Sequence, residues 1–301
     1  SSTVMPTVTE LEVKPILEYA SRKKCGKDFG LCYVPEFLAL GRAVHDLINP
    51  TFVVIGESDK KAGDIAEDFY KRFCLSKPKI LRTNFVNAEL AKIVLNNYIT
   101  TKISFANTVA EICEKIKGAD ADIVTNIISM DYRINPYYLK GRLNFAGTCF
   151  PRDQASFQAL AKSLSCQSYL AEAVDKVNNA QCPRVVSIIK KYKPKKVAVL
   201  GLSFKPNTDV TVESPGFKIK YILEESGIIV LSYDPVVLKT SLEKVLKEAD
   251  LVVITTPWQE FKQIPSCLLE EKIVIDCWRI LSQHQISKTK KYIVIGKYIK
   301  D

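Results

Sequence analysis

KVAVLGL (196–202), KIKYILEESG (218–227), IIVLSYDP (228–235), LEKVLKEAD (242–250), LVVITTP (251–257), KIVIDCW (272–278) and YIVIG (292–296) decide the fold. The short apolar runs are uninterrupted, as strands buried on both faces must be, and they alternate with stretches whose apolar residues recur at helical spacing. That alternation reads as a Rossmann-like parallel sheet over 194–301. Ligands of such sheets sit beyond the carboxyl ends of the strands, which places the region of interest at Leu202 to Thr208, Asp234 and Thr255 to Trp258. The first strand is followed by GLSFKPNTD, with one glycine, and neither GxGxxG nor a Walker string occurs in the chain. A nucleotide there must be held by other contacts, and a glycine-rich NAD site is expected to be absent.

Upstream, FVNAELAKIVLNNYITTKISFANTVAEICEKIK (85–117) has no Pro or Gly and reads as one long helix ended by Gly118. A second helix is expected in ADADIVTNIIS (119–129), then a loop over 131–152, then helical patterning over 153–193 broken near Pro183. Residues 1–84 hold two strand-like runs, FGLCYV and FVVIGE, around a short helix. Two strands with open edges do not make a stable sheet, so these residues read as the remnant of a Rossmann-like domain that something else completes. The expectation is an α/β protein in three regions: 1–84, a central helical region 85–193 with the candidate catalytic loop, and 194–301.

The chain has 301 residues, 47 % hydrophobic and 25 % charged, which is globular and long enough for more than one domain. No apolar run approaches the roughly 20 residues of a membrane span, and SSTVMPTVTE, with neither a basic start nor an apolar centre, does not read as a signal peptide. Nine cysteines without a CxxC pair fit a reducing cytoplasm, and two histidines leave little material for a His-based zinc site or triad. The net charge of +10 comes from lysines interleaved with acids, a solvated surface rather than a nucleic-acid or membrane face. A DNA-binding alternative would show steeply salt-dependent binding.

Chemistry centres on NFAGTCFPRD (144–153), where Cys149 follows Gly147 by two residues and Arg152, Asp153, Lys140 and Arg142 are close in sequence. Cations near a thiol favour the thiolate, although a small packed cysteine is the commoner outcome in such a loop. Lys92 and Asn96, four apart in AKIVLNNY, share a helix face in an apolar context. Either they serve a ligand or an exposed lysine stands above a satisfied core asparagine. Glu36 in VPEFL is either functional or a turn residue.

Several strings in one order resemble the UDP-glucose and GDP-mannose dehydrogenase family: STV (2–4), PEFL (35–38), INP (48–50), ELAKIVLNN (89–97), DYRI (131–134), GTCFPRD (147–153), GLSFKPNTD (201–209), ESP (213–215) and YDP (233–235). The resemblance covers essentially the whole chain. It implies a central helical dimerisation region, a C-terminal nucleotide-sugar domain, and a four-electron oxidation of a sugar's primary alcohol with two NAD and one cysteine. On this resemblance Cys149 is the nucleophile, Lys92 the acid or base that stabilises the developing oxyanion, and Asn96 its partner in positioning that oxygen. Asp153 helps the lysine or a water, Glu36 is the acid near the thioester, and Thr3 holds the water. Phe204 and Lys205 contact the nucleotide sugar, Arg133 reaches the neighbouring subunit's substrate, and Tyr138, Lys140 and Gly147 complete the implied substrate contacts.

GTCFPRD followed by QASFQAL is more like UDP-glucose enzymes, which favours UDP-glucose to UDP-glucuronate. Departures from the family pattern are Leu40 in place of a second acid, Val212 before ESP, and Trp278 where an arginine is usual, with Arg279 adjoining. The chain is expected to open in the last third of the NAD-binding domain, to lack most of that domain, and to be inactive alone, NAD being expected of the complete enzyme. The alternative is a non-catalytic nucleotide-sugar-binding or dimerisation subunit. The long helix is apolar on more than one side, so a homodimer is expected.

Overall fold

The structure, a computed structural model, describes residues 2–238 and 240–299. The chain divides into two compact units, Ser1–Asn97 with Ala155–Gln167, and Tyr98–Gln154 with Ser168–Asp301.

In the first unit a π-helical turn, Thr9–Val13, runs into α1 (Lys14–Ser21). Then come β1 (Cys32–Tyr33), α2 (Ala43–Ile48), β2 (Phe52–Glu57), α3 (Lys60–Phe73) and β3 (Lys79–Thr83). The two expected strands are β1 and β2, paired antiparallel, and the missing partner is β3, parallel to β2 with Val54 opposite Leu81. KILRT, the run that forms β3, is too short and too charged to signal a strand. It forms because the sheet edge of β2 is available to it, so the tertiary setting outweighs propensity. A small core of Tyr33, Val54, Phe85 and Ala88 closes this sheet.

α4 (Phe85–Lys115) is the long helix and starts in this unit. α5 (Ala121–Ile128) follows with Asp120 as its N-cap, accepting from Asp122 N at 2.9 Å. Helical structure after the loop begins earlier than expected: α6 spans Cys149–Ser163, with Pro151 in its first turn, where a missing N–H costs nothing. α7 (Tyr169–Lys191) runs through Pro183 without a break. The ring removes one hydrogen bond, but Cys182, Val185, Val186 and Ile189 on the flanking turns are buried, and their packing holds the helix.

The remaining elements are β4 (Lys196–Leu200), α8 (Pro215–Glu225), β5 (Ile229–Tyr233), α9 (Leu242–Glu248), β6 (Leu251–Ile254), β7 (Ile273–Asp276), α10 (Gln283–Ile286) and β8 (Lys291–Val294). Their order is β5-β4-β6-β7-β8, all parallel, as the alternating pattern predicts. Successive residues of β4 serve opposite faces. Val197 and Val199 join Val185, Ile189, Ile219 and Leu223, whereas Ala198 and Leu200 join Leu246, Phe261 and Leu269. The chain leaves β4 toward β5 and later crosses to β6, so the switch point lies between β4 and β6.

The central helices are locked to this sheet by buried ions. Glu114, near the end of α4, is 4 % exposed, pairs with Arg184 of α7 and accepts from Gly296 N at 2.8 Å. Arg279 donates to Asp120 at 2.6 Å and to the carbonyl of Ile295 at 2.9 Å. Arg142 reaches Asp122 at 2.7 Å. Burial raises the Asp120 and Asp122 carboxyls, but the guanidinium groups of Arg279 and Arg142 outweigh it and hold both below the usual carboxylate value. Arg279, which adjoins the position where the family pattern has an arginine, is thereby committed to holding α5.

Candidate functional site

In the second unit the segment before Cys149 is almost wholly buried, with Leu139, Leu143, Phe145 and Ala146 inside. An irregular strand so buried needs partners for its backbone, and side-chain amides supply them. Asn107 of α4 accepts from Arg142 N at 2.7 Å and donates to the Leu143 carbonyl at 3.1 Å. Asn178 of α7 accepts from Phe145 N at 2.8 Å and donates to its carbonyl at 3.2 Å. Asn144 donates to the Glu213 carbonyl at 3.1 Å and accepts from the Cys182 thiol at 3.0 Å. Burial pushes that thiol up to about 12, so Cys182 is a neutral donor here. None of these amides was among the expected residues, although a mid-helix Asn in the apolar run SFANT carries the same signal as Asn96.

The segment ends at Gly147, whose φ of +82° suits glycine. Its N–H donates to the Val212 carbonyl at 2.9 Å, and a Cβ there would lie 2.9 Å from the Phe204 ring. The expected substrate residues Gly147 and Phe204 are thus in contact, two residues before the expected nucleophile. Cys149 is half-buried at the first position of α6, with Thr148 Oγ1 3.7 Å from its sulfur. The unpaired N–H groups of a helix's first turn favour negative charge nearby. Arg152 pairs at 2.8 Å with Asp153, which is fully buried.

Phe204 and Lys205 lie on the loop after β4, closed by Phe204 N donating to the Val210 carbonyl at 2.9 Å, with Lys205 Nζ 5.4 Å from the Phe204 ring centre. Val212 is exposed, and Trp278 donates its ring N–H to the Thr255 carbonyl at 2.9 Å. Arg133 forks onto Asp131, Lys140 reaches Asn126 at 2.7 Å, and Tyr138 is exposed with a φ of +63°.

In the first unit, Ser2 is held at both backbone groups. Its N–H donates to Glu36 Oε2 at 3.1 Å, and its carbonyl accepts from the Tyr33 hydroxyl at 2.7 Å. Thr3 follows directly. Glu89, fully buried on α4, accepts from Thr7 N at 2.7 Å and Thr9 N at 2.8 Å. One turn along, Lys92 Nζ lies 5.1 Å from the ring centre of Phe37, the neighbour of Glu36. Asn96 is buried. Glu36, Lys92 and Thr3 therefore share one neighbourhood, while Leu40 is an exposed apolar residue.

A dinucleotide's pyrophosphate commonly sits at the helix N-terminus of a βα turn. In the turn from β2 to α3, Asp59 occupies that place, accepting from Ala62 N at 3.0 Å, and its own carboxylate repels a phosphate.

The chain matches the UDP-glucose/GDP-mannose dehydrogenase family NAD binding domain over residues 1–74, the central domain over 86–180 and the UDP binding domain over 198–283. It is 31 % identical over 307 residues to UDP-glucose 6-dehydrogenase TuaD of Bacillus subtilis, covering 95 % of this chain and 65 % of that protein. It is 32 % identical over 303 residues to UDP-glucose 6-dehydrogenase AglM of Haloferax volcanii, covering 94 % and 70 %. Among solved structures, a UDP-glucose dehydrogenase from Pyrobaculum islandicum gives a TM-score of 0.85 at 28 % identity, over 99 % of this chain and 69 % of that one. The match over 1–74 supports NAD and corrects the expectation above. That the chain lacks most of the NAD-binding domain and has no glycine-rich cofactor site is not supported, and the inactivity inferred from it loses its ground.

Proposed function

Because the chain belongs to the UDP-glucose/GDP-mannose dehydrogenase family, we propose that it oxidises the primary alcohol of UDP-glucose to the carboxylate of UDP-glucuronate. The observation that carries this reading is the Cys149 thiol at the start of α6, behind a glycine packed on Phe204. NAD is the hydride acceptor the reading requires. Cys149 adds to the aldehyde carbon, retains it as a thiohemiacetal, and after the second oxidation holds the acyl group as a thioester. Water then breaks the carbon–sulfur bond and leaves the carboxylate and the free thiolate. Lys92 and Asn96 stabilise charge on the reacting oxygen, Asp153 and Glu36 manage protons, and Thr3 holds the water. Residues 1–84 serve NAD, 85–193 carry the chemistry, and 194–301, through Phe204 and Lys205 with Gly147, Tyr138 and Lys140, take the UDP-sugar. The nine free cysteines suit the cytoplasm as its location.

Titration calorimetry tests the substrate. UDP-glucose should bind with a dissociation constant of about 1–100 μM, near −5.5 to −8 kcal/mol, and GDP-mannose about tenfold more weakly. Absence of heat with UDP-glucose contradicts the reading. Binding without NADH formation selects the non-catalytic alternative, which the exposed Val212 and the tryptophan at 278 favour.

We also propose a homodimer. Tyr98, Phe105 and Ile112 are seven apart on α4 and exposed, and Ile116 with Ile123 and Ile127 of α5 are exposed as well. A two-fold partner would cover them and give Arg133 a substrate to reach. Light scattering at micromolar protein should give twice the chain mass; a stable single-chain mass removes both the dimer and that role of Arg133.

A further inference from the structure

The YDP motif and the Thr255 to Trp258 turn have no part in the chemistry above, yet they meet at the switch point of the parallel sheet. Asp234, at the carboxyl end of β5, is fully buried. Its Oδ2 accepts from Leu202 N at 2.7 Å, Ser203 N at 2.9 Å, Ser203 Oγ at 3.0 Å and the Trp258 ring N–H at 3.1 Å. Its Oδ1 accepts from Val236 N at 3.0 Å and Val237 N at 2.9 Å. Trp258 also donates to Ser203 Oγ at 3.1 Å, and Thr256 Oγ1 donates to the Ser203 carbonyl at 2.6 Å. One carboxylate thus gathers the ends of β4, β5 and β6.

The strand ends at the crevice between β4 and β6, where open parallel sheets of this kind commonly seat a nucleotide, are tied together by hydrogen bonds among Ser203, Asp234, Thr256 and Trp258. The loop that follows β4 borders this point. That loop begins at Leu202 and Ser203, the two residues Asp234 grips, and continues into Phe204 and Lys205. Phe204 is the ring that stands against Gly147, so its position is coupled through contact to the segment that ends in Cys149.

We propose that Asp234, with Trp258, is a positioning pair for the nucleotide sugar. It touches no substrate and acts by fixing where Phe204 and Lys205 present themselves. The proposal rests on the assignment of Phe204 and Lys205 as substrate contacts. A carboxylate suits the role because every neighbour is a donor and only an acceptor-only group satisfies them all. In Asp234→Asn the amide turns two donors toward a wall of donors. Trp258→Phe removes the ring N–H shared between Asp234 and Ser203 and keeps most of the ring's packing.

The test uses the full chain and two readouts. Calorimetry measures UDP-glucose affinity in the wild type, Asp234→Asn and Trp258→Phe; amide hydrogen exchange follows the peptide spanning 201–210 and, as a reference, the strands β4 and β6. In Asp234→Asn, affinity should fall by about tenfold or more, and in Trp258→Phe by about threefold, less than the full worth of a hydrogen bond to a charged group because the pair acts on the ligand only through the loop. Exchange should quicken in 201–210 and stay slow in the strands. A merely structural pair would lower the thermal midpoint and leave the affinity of the folded protein unchanged, and that result overturns the proposal. Unchanged exchange at 201–210 overturns it as well, whatever the affinities. If the wild type itself shows no affinity for UDP-glucose, the substrate assignment fails, and with it the role claimed for the pair, while the exchange data still report whether Asp234 orders the loop.

Discussion

Cys149→Ser should abolish formation of UDP-glucuronate while UDP-glucose still binds. Serine has nearly the same shape, so the start of α6 and its contact with Thr148 are kept, and the Gly147 to Phe204 packing is untouched. What is lost is the nucleophile. An alkoxide is not available near neutral pH without an activating base, whereas a thiolate is a good nucleophile and a thioester hydrolyses readily. Acid production should fall by about 10³-fold or more, the scale on which removing a covalent nucleophile acts. Chromatography of the nucleotide sugars measures the product, and calorimetry measures binding. Acid formed at near the wild-type rate removes Cys149 from the mechanism.

The second large effect is on stability. Glu114 is buried near the end of α4, and its carboxylate has Arg184 and the N–H of Gly296 as partners. Arg184→Ala should therefore cost about 3–5 kcal/mol, because it leaves a charge in the interior with one hydrogen bond in place of an ion pair. The accompanying loss of Arg184's bond to Gln181, 2.8 Å long, adds little. Replacing both partners, Glu114→Gln with Arg184→Met, should recover most of the loss, since the pair's value lies in mutual compensation rather than in net attraction. Urea unfolding of the three proteins measures the difference. A loss below about 1 kcal/mol in the single variant would show that water reaches Glu114.

How much of this was legible in the sequence depended on the range of the forces involved. The five strands of the C-terminal sheet were visible because their runs are apolar almost throughout, as burial on both faces requires of the central β4, β6 and β7, and each lies inside its run except β8, which starts one residue earlier. β3 was not, because KILRT becomes a strand only beside β2. The expected break at Pro183 followed a local rule that the buried face of α7 overrides. Lys92, Asn96 and Glu36 could be singled out as polar groups in apolar settings. Asn107 and Asn178 gave the same signal and were passed over, because nothing in sequence tells a helix-borne amide that it faces an unpaired backbone. The role of Arg279 was hidden for a related reason: its partners Asp120 and Asp122 lie far away in the chain. NAD was legible through the family resemblance, but the extent of its domain was not, because a single string, GxGxxG, was made to stand for a whole domain, whereas residues 1–74 match the NAD binding domain without it.

The most direct test of the central claim is to look for the acyl group on sulfur. Protein mixed with UDP-glucose and NAD is quenched in acid within its first turnovers, digested, and the peptide containing Cys149 weighed. A thioester-linked uronyl nucleotide on that peptide, removed by hydroxylamine and missing from Cys149→Ser, is the predicted result. Turnover to UDP-glucuronate with Cys149 unmodified at every quench time would contradict covalent catalysis at this residue.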